Sequence, residues 1–252
     1  SQIQRNLAAA LGTNEVTPIE LAGAYAELVN GGHKIEPILI ERIQDRHGRT
    51  ILRGDPRPCD GCSAVSWDGS QPPAIPNTRP IVVDPRNAYQ MVSMLEGVVE
   101  RGTAKDALEL GKPLAGKTGT TNDYKDAWFV GFSSSIVVGV WVGFDQPDSI
   151  GREAYGARAA LPIWADFMQQ AAKVRTPGAF RRPAGVRATS LCAISHHQPV
   201  EGCPLYTEYF KDGDDVPSDL CTLHEGTIKQ RFVRVMEGLT SAIGAKIRGI
   251  FR

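Results

Sequence analysis

At 252 residues the chain is long enough for one large domain, or for one domain with an appendage. It is 42% hydrophobic and 22% charged, and 28 Lys+Arg offset 28 Asp+Glu, so no global field favours nucleic acid or an acidic ligand. No apolar run reaches the length of a membrane span, and "SQIQRNLAAALG" at the start lacks a signal-peptide layout. The abrupt start without Met reads as that of a fragment of a longer polypeptide.

The first predicted element is a helix in "TPIELAGAYAELVNGG". Thr17 is its N-cap, Pro18 its first residue and Glu20 the partner in a capping box; Gly31 and Gly32 stop it. Leu21, Ala24, Tyr25 and Leu28 make its apolar face. "KIEPILIERIQDRHGRTILRG" predicts a hairpin turning at "DRHG". Residues 54–80 form a loop-like insert containing "CDGC". A second helix follows in "DPRNAYQMVSMLEGVVERG", capped by Asp84, opened by Pro85 and ended by Gly102. Its expected stripe is Ala88, Met91, Val92, Leu95, Val98 and Val99.

"DAWFVGFSSS" and "IVVGVWVGFD" predict two strands joined by a serine turn. The second is almost continuously apolar, which predicts cover on both faces. "ARAALPIWADFMQQAAK" predicts a further helix, with Ala160, Ile163, Trp164, Phe167 and Met168 packing down. This order is α+β with a layered core. After residue 175 the composition shifts to Pro, Gly and charge. The chain therefore divides into residues 1–175, a cysteine-containing tail over 176–225, and a basic amphipathic helix over 226–252. That last segment is able to make weak membrane contact, although its glycines weaken it.

The five cysteines, Cys59, Cys62, Cys192, Cys203 and Cys221, lie in Pro/Gly/Asp-rich loops, which favours disulfides and an oxidising compartment. "CDGC" has zinc-knuckle spacing. However, its next ligands, His196, His197 and Cys203, are distant in sequence, so no metal site and no cofactor is expected.

"GKPLAGKTGTT" poses the functional question. Gly111 to Thr118 fit the P-loop pattern G-x-x-x-x-G-K-[ST], and Lys117 to Gly119 read K-T-G. A P-loop requires a helix beginning at Lys-Thr. Here "GTTNDYKDAWFVGF" follows, a poor first helical turn that leads into an aromatic strand. Asp145, at the end of the apolar strand, is the one residue that supports nucleotide binding, and no crossover helix separates the two strands. As a strand, "AGKTGTT" instead presents Lys117 to a groove, with Thr118 and Thr120 alternating and Gly119 leaving space for a substrate backbone.

"ALGTNEVTPIELAGAYAELVNGG", "MLEGVVERGTA", "LAGKTGTTNDYKDAWFVGF" and "VVGVWVGFD" occur in this order at close spacing. Together they resemble the transpeptidase domain of class A penicillin-binding proteins over about the first 175 residues. The resemblance implies a β-lactamase/transpeptidase-like layered fold, incomplete here at its N-terminal side. It implies a peptidoglycan D,D-transpeptidase at the periplasmic side of the inner membrane of a Gram-negative bacterium. In that family the serine of S-x-x-K attacks the D-Ala-D-Ala bond of a stem peptide, and β-lactam antibiotics acylate the same serine.

On this sequence the resemblance gives Lys117 and Thr120 catalytic roles, with the Thr120 N–H in the oxyanion hole. It makes Lys117, Thr118, Gly119, Thr120 and Thr121 the substrate-binding set, and leaves Asp126 and Trp128 structural. No serine in the chain has Lys three positions later or Asn two positions later. The nucleophile is therefore expected upstream of Ser1, in a missing N-terminal part of the domain, and the chain alone is expected to be inactive. A non-catalytic docking module is the rival reading. A Cys203–Cys221 disulfide closing the "YFKDG" loop is also expected.

Overall fold

A computed structural model describes residues 1, 3–59 and 75–224. It divides into two compact units, Ser1–Pro183 and Ala184–Arg252. Most of the 54–80 insert and the whole 226–252 segment lie outside the described residues.

In the first unit, α1 (Pro18–Val29) carries the expected capping box: Glu20 N–H donates to Thr17 Oγ1, and the Glu20 carboxylate accepts from Thr17 N–H at 2.9 Å. Gly32 N–H bonds back to Glu27 O at 2.8 Å. Gly32 has φ +82°, and a Cβ there would lie 1.9 Å from Val83 O. Only glycine therefore permits the close crossing that joins the end of α1 to the start of α2. β1 (Arg42–Gln44) and β2 (Thr50–Arg53) form the expected hairpin, exposed throughout. Asp45 Oδ1 accepts the N–H groups of both His47 and Arg49 in its turn.

α2 (Pro85–Glu100) is capped by Asp84, which accepts from Arg86 N–H at 2.8 Å. It buries Ala88, Tyr89, Val92, Leu95, Gly97 and Val99. The expected stripe changes in one place: Met91 is exposed and Tyr89 takes its place inward.

β3 (Ala115–Thr120), β4 (Asp126–Phe132) and β5 (Val137–Gly143) form an antiparallel sheet in the order β3-β4-β5. Helices cover both faces. On one face Tyr25, Leu28, Val92 and Leu95 of α1 and α2 pack with Ala115 and Phe132. On the other, Phe129 packs with Ala160, Leu161, Trp164 and Met168, together with Val99 and Ala104. Phe129 and Trp164 meet edge-to-face at 4.9 Å, and Trp164 Nε1–H donates to Gly131 O at 3.2 Å.

The apolar β5 is half-buried rather than covered. It is an edge of this sheet, and Trp141 is exposed. The single helix expected over 157–173 is two, α3 (Gly156–Ala159) and α4 (Leu161–Val174). Pro162 is the cause, because it has no N–H for residue 158 and its ring crowds that carbonyl. Ile163 and Phe167, expected to pack down, are more than half exposed, and Leu161 is buried in their place. The second unit contains the antiparallel pair β6 (Val186–Cys192) and β7 (Leu205–Lys211). Among the described residues no helix is long and apolar enough to cross a membrane.

Candidate active site

Lys117 and Thr118 lie in the middle of β3, no α-helix begins at them, and only a single 3-10 turn, Asn122–Tyr124, follows, so the P-loop pattern is present as letters and absent as structure. β3 is an edge strand, and its ladder phase follows from one bond beyond its end. Thr121 N–H donates to Asp126 O at 3.1 Å. In an antiparallel ladder, Gly119 and Lys117 therefore bond inward to Trp128 and Val130. The backbone groups of Thr118 and Thr120 point away from β4, toward the open edge. Lys117 Nζ reaches round to that edge and donates to Thr118 O at 2.9 Å.

The threonine hydroxyls are placed differently. Thr118 Oγ1 lies 3.1 Å from Thr103 Oγ1, in the loop after α2. Thr120 Oγ1 accepts from Gly156 N–H at 3.0 Å. With that lone pair used, the Thr120 hydroxyl proton is left to donate outward. Thr121 turns away: its hydroxyl donates to Asp126 Oδ2 at 3.1 Å and accepts from Asp126 N–H at 2.8 Å. Asp126 Oδ1 in turn accepts from Trp141 Nε1–H at 2.8 Å, and Trp128 packs against Trp141. Asp126, Trp128 and Thr121 thus tie β3, β4 and β5 together below the strand end.

Sequence reasoning missed Thr103 and Gly156. A Cβ on Gly156 would lie 2.3 Å from Trp128 O and 2.8 Å from Gly119 O. The start of α3 therefore rests directly on the K-T-G backbone. A glycine at the mouth of a predicted helix, in "AYGARAAL", was the available signal.

Glu96 of α2 is half-buried, and burial, then repulsion from Glu100 one turn on, raises its carboxyl to about 7. A cavity of about 550 Å³ lies at the opposite, Phe132 end of the sheet, bounded in part by Leu28, Tyr89, Ser135, Arg175 and Phe180. It touches no residue of β3, so its size does not mark the chemistry. The expected Cys203–Cys221 bridge is absent: both residues are free thiols, as is Cys192. Cys59 is disulfide-bonded, and Cys62 lies outside the described residues.

A three-stranded antiparallel sheet between helix layers, with K-T-G on its edge strand, defines a transpeptidase-like α+β domain. The family described as "Penicillin binding protein transpeptidase domain" matches residues 1–169, and the chain belongs to that family. Penicillin-binding protein 1A of Pseudomonas aeruginosa is 38% identical over 248 residues, covering 86% of this chain and 30% of that protein. Its namesake in Rickettsia bellii is 44% identical over 179 residues, covering 70% of this chain and 23% of that protein. The crystal structure of penicillin-binding protein 1A from Haemophilus influenzae superposes with a TM-score of 0.70 at 28% identity. That match covers 85% of this chain and 34% of the other. The chain thus spans less than a third of the length of these two penicillin-binding protein 1A relatives.

Proposed function

We propose that this chain is one wall of a peptidoglycan D,D-transpeptidase site, and that the nucleophilic serine comes from a segment outside these 252 residues. The observation that carries the reading is the open edge of β3, where the Thr120 amide faces away from β4 and Lys117 is held at the neighbouring carbonyl. An extended stem peptide laid along this edge extends the sheet antiparallel to β3. Its terminal carboxylate accepts from Lys117 Nζ, which has two N–H donors left, and from the Thr120 hydroxyl. Thr118, held by Thr103, supports this pair. Thr121 holds the strand end against Asp126 and acts as a positioning residue.

In the reaction, the serine oxygen bonds to the scissile carbonyl carbon and its proton passes to a neighbouring base. The carbonyl oxygen becomes an oxyanion facing the Thr120 N–H. The C–N bond then breaks, and D-alanine leaves carrying a proton on its amine. A second stem's amine takes the acyl group from serine and restores the serine hydroxyl. Preorganised donors of this kind are each worth about 10²–10³ in rate.

PonA1 of Mycobacterium tuberculosis, 25% identical with a TM-score of 0.54, has been solved in complex with penicillin V. By that likeness β-lactams occupy the same edge here. We assign the activity to the periplasmic side of an inner membrane, a reading that the Gram-negative sources of the penicillin-binding protein 1A relatives support. The test is the second-order rate of penicillin acylation of the full-length polypeptide. Lys117→Ala and Thr120→Val should each lower it by about 10²-fold. A Lys117→Ala rate within about threefold of the parent contradicts the assignment.

A further inference from the structure

The second unit holds a cluster that the transpeptidase reading does not use. Cys192 closes β6, Cys203 lies in the turn before β7, and Cys221 and His224 follow β7. Backbone bonds bring these four segments together. Cys192 N–H donates to His197 O at 3.0 Å, Cys203 N–H to Val200 O at 3.1 Å and Cys221 N–H to Gln198 O at 2.8 Å. Cys192 and Cys221 are fully buried, and Cys203 and His224 are half-buried.

The donor atoms converge on one point. His224 Nδ1 lies 3.2 Å from the Cys221 sulfur, 3.4 Å from that of Cys203 and 3.6 Å from that of Cys192. The Cys192 and Cys221 sulfurs are 3.7 Å apart, and all four donor atoms lie within 4.8 Å of one another. A tetrahedral zinc ion with Zn–S of about 2.3 Å and Zn–N of about 2.0 Å requires S···S edges of about 3.8 Å and S···N edges of about 3.5 Å. The three S···N edges of 3.2–3.6 Å and the Cys192–Cys221 edge of 3.7 Å match those of such a tetrahedron.

We propose that Cys192, Cys203, Cys221 and His224, through Nδ1, bind one Zn²⁺ ion as a structural site. This revises the expectation that the chain holds no metal. Four protein donors fill a tetrahedron, which leaves no open position for catalysis. A disulfide joins only two of the three thiols and leaves the third beside the imidazole with no role. Binding releases the three thiol protons, so three thiolates and a neutral imidazole around Zn²⁺ carry a net charge of −1.

The surroundings suit thiolates. Val200 N–H donates to the Cys203 sulfur at 3.3 Å. The unit also gains from a staple. Among its described residues the buried cluster is Cys192, Val200 and Cys221, with Cys203 and Leu220 against it, and Val186 and Leu191 are buried besides. A core of that size is strengthened by a cross-link or a metal.

The test uses the whole 252-residue chain, purified under reducing conditions, with zinc measured by plasma mass spectrometry and Co²⁺ titrated into the stripped protein. The expected result is one zinc per chain, with thiolate-to-cobalt charge transfer and the d–d bands of a tetrahedral site that zinc abolishes. Cys192→Ser and His224→Ala should weaken Co²⁺ binding by at least about tenfold. His196→Ala, whose imidazole bonds Tyr206 outside the cluster, should bind as the parent does. Should the ligand variants fail to fold, alkylation of the parent replaces them: zinc should protect three thiols, and a chelator should expose them. The proposal is overturned by substoichiometric zinc with no tetrahedral cobalt spectrum, or by a Cys–Cys bond among the three in protein taken from its native compartment. These outcomes are independent of penicillin acylation.

Discussion

Gly156→Ala probes how the K-T-G strand is supported. The added Cβ meets backbone oxygens at 2.3 Å (Trp128) and 2.8 Å (Gly119), where no side chain can swing aside. α3 must therefore lift from β3, and the 3.0 Å bond from Gly156 N–H to Thr120 Oγ1 lengthens with it. Overpacking costs about 1–3 kcal/mol, and the lost hydrogen bond adds about 1 kcal/mol. At about 2–4 °C per kcal/mol for a chain of this size, Tm should fall by roughly 4–16 °C. Thermal unfolding followed by circular dichroism measures it. Gly23→Ala is the matched control: Gly23 lies within α1, and its Cβ meets nothing within 4 Å. That variant should be stabilised by about 0.5–1 kcal/mol. A Gly156→Ala chain that melts with the parent, or above it, refutes the claim that α3 rests on Gly119.

Three further outcomes are expected. Glu96 is protonated in the folded chain up to about 7, against an ordinary value of 4.5, so the unfolded state releases this proton first. Stability is then lost as pH rises from 4.5 through 7 and stays lost above it. Allowing for the half-exposed side chain, Glu96→Gln should gain roughly 1 kcal/mol at pH 8 and nothing at pH 4, read from urea midpoints at the two values. Thr103→Val removes the partner of the Thr118 hydroxyl and should slow penicillin acylation of the full-length polypeptide by about tenfold, with Tm changed little because Thr103 is exposed and Thr118 only half-buried. The 252-residue chain alone, incubated with a penicillin, should show no mass increase by intact mass spectrometry, because it lacks S-x-x-K; a stable adduct would move the nucleophile into this chain.

Local rules made much of the first unit legible. Thr17, Pro18 and Glu20 announce α1, Asp84 and Pro85 announce α2, and the absence of an α-helix starting at Lys117-Thr118 separates K-T-G from a P-loop. Legibility failed where tertiary packing chooses between neighbouring apolar residues. Tyr89 and Leu161 go inward while Met91, Ile163 and Phe167 stay out, because the covering element selects which edge of a broad stripe it meets. Trp164 owes its depth to Gly131, where a Cβ would lie 2.6 Å from the indole, and such a pairing across 33 residues leaves no local trace. The cysteine cluster was missed for a similar reason. Its spacing, C-x10-C-x17-C-x2-H, is set by the β6–β7 turn and the bridge between Gln198 and Leu220, not by a compact motif. Cys221-x2-His224 was the one local signal, and counting cysteines for disulfides hid it.

Labelling the full-length protein with a fluorescent penicillin, and locating the label by peptide mass spectrometry, shows whether β3 serves a serine carried elsewhere in the polypeptide. The label should sit on a serine of an S-x-x-K sequence outside residues 1–252, and Lys117→Ala should reduce labelling by about 10²-fold. A label on any serine within these 252 residues, or labelling indifferent to Lys117, would contradict that role of β3.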